Sequence, residues 1–548
     1  MMENPLPPKY YHTNFEYLLS FVKDKYKNLL ITSEWQFLRK YYSLPNDAQC
    51  LFIRFTNRKG LFFKKNTLKY EEIENIETQL QLLSDREFVS ELNYDLHKNY
   101  LNDILYVLTK SDLLSLFDLK EFKNLKKEQL AEQLKEKYSP ESIFEILILK
   151  SILVKANFEL EVSFLRFLFF GNKYMDMTEF VLRDLGLVQY YQHSDDHLVA
   201  RFETRKEAEE KWMISEMFLV FEELKGSQPP SEVLDWYKNT QQSLQDISPV
   251  ALTTWERLQL KIGKYFEQQK HFEAALEVYK NVMAVPSRER AARCLAKIGF
   301  IEEARVLCEQ MISGPQNADE QFFGEYFIKN LDGKKNKKQT TEFIKNASEI
   351  TVDKVFNHQV ELGAIAHFRE AGFDAAFSEN HTWRSLFGLA FWDIIFDPTL
   401  VAFHHPFQRR PSDLHLSDFY QKRGENIRQH LDSFENKDEF LENLWKNYRQ
   451  NEGIANAFVI WLPEIWELVR VIVTFLDWEN IKLILTKIAE NIIENSRGLP
   501  DLMVWNNNGL ELIEIKSPND ALSNQQLFWL RYFNEIGVKA SVLRVSFE

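Results

Sequence analysis

The chain has 548 residues, a length that at ~100–200 residues per domain predicts about three to five folded units. With 45% hydrophobic residues, 27% charged residues and only 17 Gly and 16 Pro, it is neither collagen-like nor disordered, and its 44 Phe can fill several cores. The net charge of −14 excludes a uniformly basic coat for nucleic acid, although a local basic groove is still allowed.

The cysteines indicate a reducing compartment. Cys50, Cys294 and Cys308 are too few and too far apart for a disulfide framework or a thiolate zinc site. The N-terminus lacks a basic start followed by an apolar run, and Asp393 and Asp477 interrupt the most apolar stretches before the ~20 residues that a membrane span needs. We therefore expect a cytoplasmic protein without a membrane partner.

Residues 1–105 are predicted to be mostly helical with a small β element. Apolar residues recur at helical spacing, beginning with Phe15 and Leu18. The segment QCLFIRFTNRKGLFF instead contains two β-prone runs around Asn57 to Gly60. These runs predict a hairpin, or a strand and a turn.

Residues 106–225 contain two short amphipathic helices between Val107 and Tyr138, with six lysines crowded between Lys120 and Lys137. One interpretation of such a charge run is a solvated helix face. The other is a small DNA-binding module whose lysines neutralise phosphates without reading sequence. The candidate contacts are Lys120, Lys123, Lys126 and Lys127.

Residues 226–372 follow the breaker-rich stretch GSQPPSE and are predicted to form helical repeats. Two helix pairs recur with a period of about 30 residues, the loose pattern of tetratricopeptide-type repeats. The apolar positions are Phe272, Ala275 and Tyr279 in one pair and Ile301, Ala304 and Leu307 in the other. So few copies predict a short array, which can be either a spacer or a peptide-binding groove.

The last region, residues 373–548, is predicted to be a compact α/β unit. LMVW and LELIEIK are β-type runs separated by NNNG, a strong hairpin signal. A helix follows, with Ser523 as its N-cap and Gly537 at its end, and VKASVLRV closes the chain as another strand.

Within this region GLPDLMVWNNNGLELIEIK has the residue types of a catalytic site. Asp501 opens the first strand, whereas Glu514 and Lys516 share one face of the second because side chains alternate along a strand. The hairpin then brings the three side chains to one end of the sheet. An ion-pair cluster without a catalytic role is the alternative for this pattern.

Two carboxylates and an ammonium in a small volume suit phosphodiester hydrolysis. The oxygens of Asp501 and Glu514, with the backbone carbonyl of Ile515, can hold one or two Mg²⁺ or Mn²⁺ ions. Lys516 would orient or help to deprotonate the attacking water and neutralise charge in the transition state. The pattern therefore predicts a hydrolase, a metal-dependent phosphodiesterase.

These motifs resemble a known family. GLPDLMVW, ELIEIKSPNDALSNQQLFWL and VLRV are similar to the VRR-NUC branch of the PD-(D/E)xK nucleases, and in particular to the Fanconi-associated nucleases. The segments SENHTWRSLFGLAFWDIIFDP, HHPFQRRPSDL, NEGIANAFVIW, RERAARCLAKIG and QCLFIRFTNRKGLFFKKNTLKYEEI look like bacterial members of that family. The resemblance thus covers nearly the full chain.

The resemblance implies further site residues. The family's additional metal-binding acid corresponds to Glu379, which periodicity alone would assign to the surface. With Asp501, Glu514 and Lys516 it completes the implied catalytic set. Gln526, in the QQLFWL helix, would support the site through hydrogen bonds.

The implied fold is multidomain and mainly α-helical, with a C-terminal α/β restriction-endonuclease-like (PD-(D/E)xK) domain, the VRR-NUC domain, at residues 373–548. The lysine-rich helices take the place of the family's SAP-type module, and residues 1–105 would also hold DNA.

The implied activity is that of a structure-selective DNA nuclease, a 5′ flap endonuclease and 5′ to 3′ exonuclease acting in DNA repair, including repair of interstrand cross-links. Its partners would be flapped, branched or cross-linked DNA, and its place a bacterial cytoplasm near the nucleoid. The alternative from another class is a non-catalytic DNA-binding scaffold that recruits repair proteins through the helical repeats.

Three other groups of residues have side chains that are common in functional sites. HSDDH, from His193 to His197, has metal-ligand residue types in a polar context that predicts a solvated turn. Arg409 and Arg410 lie on a basic loop and are candidates for gripping DNA phosphate. The predicted core tryptophans are Trp383, Trp392, Trp461 and Trp529.

Overall fold

The computed structural model describes residues 6–333, 339–416 and 418–548. The chain divides into two compact units, one formed by Met1–Val188 with Ala200–Trp212 and the other by Gln189–Val199 with Met213–Glu548. The described residues are mainly helical and form one sheet in each unit. In those residues no helix combines the length and apolar character that a bilayer crossing requires.

The first unit is a set of helices around a three-stranded sheet. Its helices are α1 (Tyr10–Tyr26), α2 (Thr32–Tyr42), α3 (Asn46–Thr56), α4 (Ile76–Asp85), α5 (Tyr94–His97), α6 (Leu101–Val107), α7 (Lys110–Leu116), α8 (Lys127–Lys137), α9 (Pro140–Lys150), α10 (Glu159–Phe170) and α11 (Thr178–Asp184). Its strands are β1 (Phe62–Lys64), β2 (Val89–Glu91) and β3 (Leu153–Ala156). Both β1 and β2 pair antiparallel to β3, which lies between them.

The predicted strand at the start of QCLFIRFTNRKGLFF is wrong, because this segment forms helix α3. The residues from Ala48 to Ile53 and Phe55 are buried, so the run is apolar on nearly all sides. Such a short apolar run has no periodicity that separates a helix from a strand. The second run does form a strand, β1, after a turn at residues 57–61, which agrees with the alternative of a strand and a turn. It pairs with β3, so the alternative of a local hairpin is wrong.

Helix α12 (Arg205–Ser227) begins in the first unit and ends in the second. The other helices of the second unit are α13 (Pro230–Ser243), α14 (Pro249–Gln268), α15 (Phe272–Tyr279), α16 (Ser287–Lys297), α17 (Ile301–Ser313), α18 (Ala318–Leu331), α19 (Gln339–Lys345), α20 (Val360–Glu370), α21 (Glu379–Ala390), α22 (Trp392–Ile395), α23 (Asp418–Asp432), α24 (Lys437–Asn451), α25 (Pro463–Phe475), α26 (Trp478–Glu490), α27 (Ile492–Asn495) and α28 (Asn524–Glu535). Its strands are β4 (Ser348–Val352), β5 (Asp374–Phe377), β6 (Leu502–Asn506), β7 (Gly509–Lys516) and β8 (Ala540–Phe547). Short 3-10 turns lie at Lys65–Thr67, Lys98–Tyr100, Lys120–Phe122, Asp195–His197, Lys354–Phe356 and Pro398–Leu400.

Helices α13 to α18 span residues 230–331, which is most but not all of the range 226–372 in which the sequence predicts helical repeats. Helices α14 and α15 approach closely at Gly263, where an added Cβ would lie 2.4 Å from the ring of Tyr279. Trp255, Leu258 and Ile262 are buried in the same core. Small and large side chains therefore interlock along this array.

The C-terminal sheet has the order β4-β8-β7-β6-β5. As predicted, β6 and β7 form a tight hairpin, with Asn506 opposite Gly509. Helix α28 then begins after Ser523, whose Oγ accepts a hydrogen bond from the backbone N–H of Gln526, and leads to β8, which runs parallel to β7. The predicted N-cap and the predicted last strand are both confirmed.

One strand of this sheet lies outside the region that was predicted to be α/β. Strand β4 pairs in parallel with β8, and the Oγ atoms of Thr351 and Ser546, 195 residues apart, are 3.1 Å from each other. The first three residues of β4 are mostly exposed. Such a short strand carries no local signal of a partner that lies so far along the chain.

Candidate active site

The hairpin register places Asp501 opposite Glu514, because Leu502 pairs with Ile513 at the next position. The carboxylate Oδ2 of Asp501 accepts a hydrogen bond of 2.9 Å from the backbone N–H of Ile515. On β7 the apolar side chains of Ile513 and Ile515 pack into the core on one face. The alternation of the strand therefore directs Glu514 to the other face, next to Asp501.

Glu514 is the centre of a buried hydrogen-bond network. Its side chain is only 1% exposed, and its Oε1 accepts a 2.7 Å hydrogen bond from Nζ of Lys516, which is also buried. Nε2 of Gln526 donates to the same oxygen. Gln526 is fixed by a capping box, since its Oε1 accepts a hydrogen bond from the backbone N–H of Ser523.

Both carboxyl groups are held in surroundings that disfavour their charge. Burial, only partly offset by the Ile515 N–H and by Lys516, raises the pKa of Asp501 to about 6. Burial and repulsion from Asp501 raise the pKa of Glu514 to about 8, despite the ammonium of Lys516. Glu361 on α20 adds a smaller repulsion to Asp501 and was missing from the sequence-based set.

A divalent cation fits these two carboxyl groups. Oε2 of Glu514 is buried and accepts no hydrogen bond from the residues that the structure describes. A cation beside it would satisfy this oxygen and relieve the repulsion between the two carboxylates. The residues that would hold the ion are Asp501, Glu514 and the carbonyl of Ile515.

The backbone of Glu379 lies directly against Asp501. The backbone N–H groups of Ser378 and Glu379 both donate to the carbonyl oxygen of Asp501, at 2.7 and 3.2 Å. The Glu379 carboxylate accepts a hydrogen bond from Asn380, whose own Oδ1 accepts from the backbone N–H of Leu499. Within the described ranges, no three His, Cys, Asp or Glu side chains are grouped closely enough to hold a metal, so Glu379 as a ligand stays a prediction.

Gly498 and its neighbours position the Asp501 loop. Gly498 has φ of +75°, and a Cβ there would lie 2.8 Å from Cγ of Gln525 and 3.0 Å from the backbone nitrogen of Gln526. This contact brings the loop before Asp501 against the start of α28. Sequence reasoning did not select Gly498, although a glycine three residues before an aspartate that opens a strand is a usable signal.

The lysine-rich segment contains the two predicted helices, α7 and α8. Lys120, Lys123 and Lys126 are exposed and carry their charge into solvent. Lys127 instead donates to the backbone carbonyl of Tyr106 and lies 4.9 Å from the centroid of that ring. The first three are therefore the better placed for contacts with phosphate.

Arg409 and Arg410 lie exposed on a loop that its own side chains hold together. Oε1 of Gln408 accepts from the backbone N–H groups of His404 and His405, and its amide donates to carbonyl oxygens of the same loop. Arg410 donates to Nε2 of His415. A loop braced in this way presents its arginines at fixed positions.

His193 is packed among aromatic rings, and among the residues that the structure describes it is not grouped with two other His, Cys, Asp or Glu side chains as a metal ligand would be. Its ring centroid is 4.1 Å from that of Phe403 and 4.8 Å from that of Tyr191. Asp195, Asp196 and His197 are exposed, in agreement with the predicted solvated turn. Burial lowers the pKa of His193 to about 4, so the folded protein holds this ring neutral.

We expect His193 to make the protein less stable in acid. The unfolded chain takes up a proton near the ordinary histidine pKa of ~6.5, whereas the folded chain takes it up only near pH 4, so the free energy of unfolding falls as the pH drops between these values. His193→Phe should keep the contacts with the neighbouring aromatic rings. Because phenylalanine does not titrate, the free energy of unfolding of the variant should fall by up to ~2 kcal/mol less than that of the parent over this pH range, allowing for the partial exposure of the ring. Melting temperatures of parent and variant from pH 7 to pH 4 measure the effect, with His358→Phe at an exposed site as control. Parallel pH profiles of parent and His193→Phe would contradict it.

Comparison with known proteins gives two matches to family models. The model described as "FAN1, HTH domain" matches residues 9–90, and the model described as "VRR-NUC domain" matches residues 435–547. The second range contains Asp501, Glu514, Lys516 and Gln526. The network around Glu514 thus lies within the matched nuclease domain.

Similar proteins extend over the whole chain. The chain is 27% identical to the Fanconi-associated nuclease 1 homolog of Pseudomonas aeruginosa, over 98% of this chain and 96% of that protein. It is 25% identical to the homolog of Arabidopsis thaliana, over 98% of this chain and 67% of that one. Among solved structures, paFAN1 bound to 2nt 5′ flap DNA with gap matches with a TM-score of 0.85 and 26% identity, covering 99% of both chains.

Proposed function

We propose that this chain, a DNA nuclease with a VRR-NUC domain that is similar over its whole length to Fanconi-associated nucleases, cuts 5′-flapped DNA. The proposed activities are 5′ flap endonuclease and 5′ to 3′ exonuclease, and the proposed role is DNA repair, including repair of interstrand cross-links. The observation that carries the proposal is the buried Asp501, Glu514 and Lys516 group on the β6-β7 hairpin. The solved relative bound to 5′ flap DNA supports the choice of substrate.

Nucleases of this type depend on a metal ion, and we propose Mg²⁺ or Mn²⁺ here. When bound, such an ion supplies the positive charge that polarises the scissile phosphate. Asp501 and Glu514 would hold it, and the hydrogen bonds from Ile515, Lys516 and Gln526 keep their oxygens in place. The proposed contribution of Glu379 is a further carboxylate at the same edge of the sheet.

Lys516 supplies a positive charge where negative charge develops. Its ammonium is buried and donates to Glu514, so it stays in one position without being screened by solvent. We propose that it orients the attacking water and stabilises the transition state. The raised pKa values of Asp501 and Glu514 also mean that both groups must lose their protons before an ion can be held.

A panel of labelled DNA substrates tests the proposed substrate preference. Duplexes with a 5′ flap, a 3′ flap or blunt ends, otherwise identical in sequence, are incubated with the purified chain and Mg²⁺ or Mn²⁺. We expect the 5′ flap to be cut at least ~10-fold faster than the others, because a preference of this size needs only ~1.4 kcal/mol of differential binding in the transition state. Equal cutting rates on all three substrates would contradict the proposed preference for 5′ flaps, although the chain would still be a DNA nuclease.

The three exposed lysines that precede α8 are proposed to contact DNA phosphates. Changing Lys120, Lys123 and Lys126 together to alanine should weaken DNA binding and reduce the slope of log K against log salt by up to ~3, since each lost phosphate contact removes about 0.9. Lys135→Ala is the matched control, because Lys135 is paired with Glu132. If the slope of log K against log salt is unchanged in the triple variant, these lysines are only a solvated surface and do not contact phosphate.

A further inference from the structure

The nuclease region has an aromatic pocket that the proposed cutting site does not use. An open pocket of about 340 Å³ is lined by Asp438, Leu441, Glu442, Trp445 and Trp466, from helices α24 and α25. The first four follow the spacing i, i+3, i+4 and i+7, so they form one face of α24. The opposite side of the helix packs into the core through Phe440 and Leu444.

Trp445 is unusual among the tryptophans because it is 43% exposed. Trp383, Trp392 and Trp529 are at most 2% exposed and fill the core as predicted, whereas Trp461, also predicted to be a core residue, is only half-buried. An indole left in water costs free energy that covering it would recover. Leu462, just before α25, is also exposed, at 51%.

Two walls of the pocket are the indole rings of Trp445 and Trp466, which are tilted relative to each other. The ring centroids of Trp445 and Trp466 are 4.9 Å apart with an interplanar angle of 41°. Tyr448 extends this group, 5.5 Å from Trp466 and 5.7 Å from Trp445. Aromatic faces carry negative electrostatic potential, so the tilted pair of Trp445 and Trp466 can attract a cation. One such cation–π contact exists within the chain, since the guanidinium of Arg449 lies 5.6 Å from the ring centroid of Trp445.

The rim of the pocket is acidic. Asp438 and Glu442 are exposed, and neither forms an ion pair with another residue in the described part of the chain. By contrast, Glu467 on α25 is paired with Arg470. Two unpaired carboxylates beside aromatic faces favour a cationic ligand and repel the phosphates of DNA.

We propose that this pocket binds an arginine or lysine side chain from a basic segment of a partner protein. The cation would lie against Trp445 and Trp466 while Asp438 and Glu442 pair with its charge. The apolar part of its side chain would cover the exposed indole. This interaction is separate from DNA cutting and does not depend on it.

The test uses the full chain and a fluorescent peptide with two arginines in an alanine and glycine background. The control peptide replaces both arginines by citrulline, which keeps the shape and removes the charge. Binding is followed by fluorescence anisotropy in EDTA without DNA. We expect the citrulline peptide to bind at least ~10-fold more weakly, since the cation–π contacts and the ion pairs are both lost.

Two pocket variants and one matched control complete the experiment. Trp445→Leu keeps an apolar side chain without the ring face, and the double variant Asp438→Asn with Glu442→Gln removes the charge from exposed positions. Each should weaken arginine-peptide binding at least ~5-fold with little change in melting temperature. The double variant Glu232→Gln with Asp235→Asn, on the exposed face of α13, should bind like the parent.

Three outcomes would overturn the proposal. The first is equal binding of the arginine and citrulline peptides, and the second is binding by both pocket variants at the parent's affinity. The third is competition by a single-stranded oligothymidylate that depends on Trp445, which would make the pocket a base-stacking surface instead.

Discussion

Asp501→Asn is expected to reduce DNA cutting by ~10³-fold or more while the protein stays folded. The substitution removes a carboxylate that would hold the metal ion, and a loss of ~4 kcal/mol of transition-state stabilisation corresponds to this factor. The asparagine Oδ1 can still accept the hydrogen bond from the backbone N–H of Ile515. The substitution also removes the repulsion from Asp501 that raises the pKa of Glu514. The melting temperature of the variant should therefore be no lower than that of the parent.

The measurement is a single-turnover cleavage rate, with the melting temperature and the DNA affinity of the same preparation. Asp374→Asn is the matched control, because it makes the same change at an exposed position of β5 in the same sheet. DNA affinity should be unchanged in both variants. Cutting by Asp501→Asn within a few-fold of the parent would remove Asp501 from the catalytic set.

Lys516→Met is expected to separate metal binding from turnover. Methionine keeps most of the apolar stem and removes the ammonium that donates to Glu514, so the cutting rate should fall by ~10²- to 10³-fold. The loss of a positive charge beside the carboxyl groups should leave Mn²⁺ affinity equal or higher. Asp501→Asn, in contrast, should lose both cutting and Mn²⁺ affinity.

Lys539→Met provides the control for Lys516→Met. Lys539 is paired with Glu511 on β7, as Lys516 is paired with Glu514, but its side chain is 72% exposed. Calorimetric titration with Mn²⁺ and single-turnover cleavage are measured for both variants. If Lys516→Met cuts as fast as Lys539→Met, then Lys516 serves only as a partner for Glu514.

The strands and helix around the catalytic group could be predicted because their signals are local. NNNG defines the hairpin, Ser523 defines the start of α28, and the spacing of Glu514 and Lys516 places both on one face. The register that sets Asp501 opposite Glu514 follows from the two-residue turn. These features depend on neighbours within a few residues of each other.

Other parts of the site depend on contacts between distant segments. The placement of Glu379 against Asp501 requires hydrogen bonds across more than 120 residues, and only family resemblance pointed to it. The edge strand β4 was missed for the same reason, since its partner β8 lies at the far end of the chain. Helix α3 was mistaken for a strand because an apolar run that is buried on nearly all sides shows no periodicity.

The most direct measurement of the central claim is cleavage of a labelled 5′-flap duplex by parent, Asp501→Asn and Asp374→Asn, each with Mn²⁺ and with EDTA. Parent and Asp374→Asn should cut at similar rates with Mn²⁺ and not at all with EDTA, whereas Asp501→Asn should cut at least ~10³-fold more slowly with Mn²⁺ and not at all with EDTA. Cutting by Asp501→Asn at the parent's rate, or by the parent in EDTA, would contradict a metal-dependent site built on Asp501, Glu514 and Lys516.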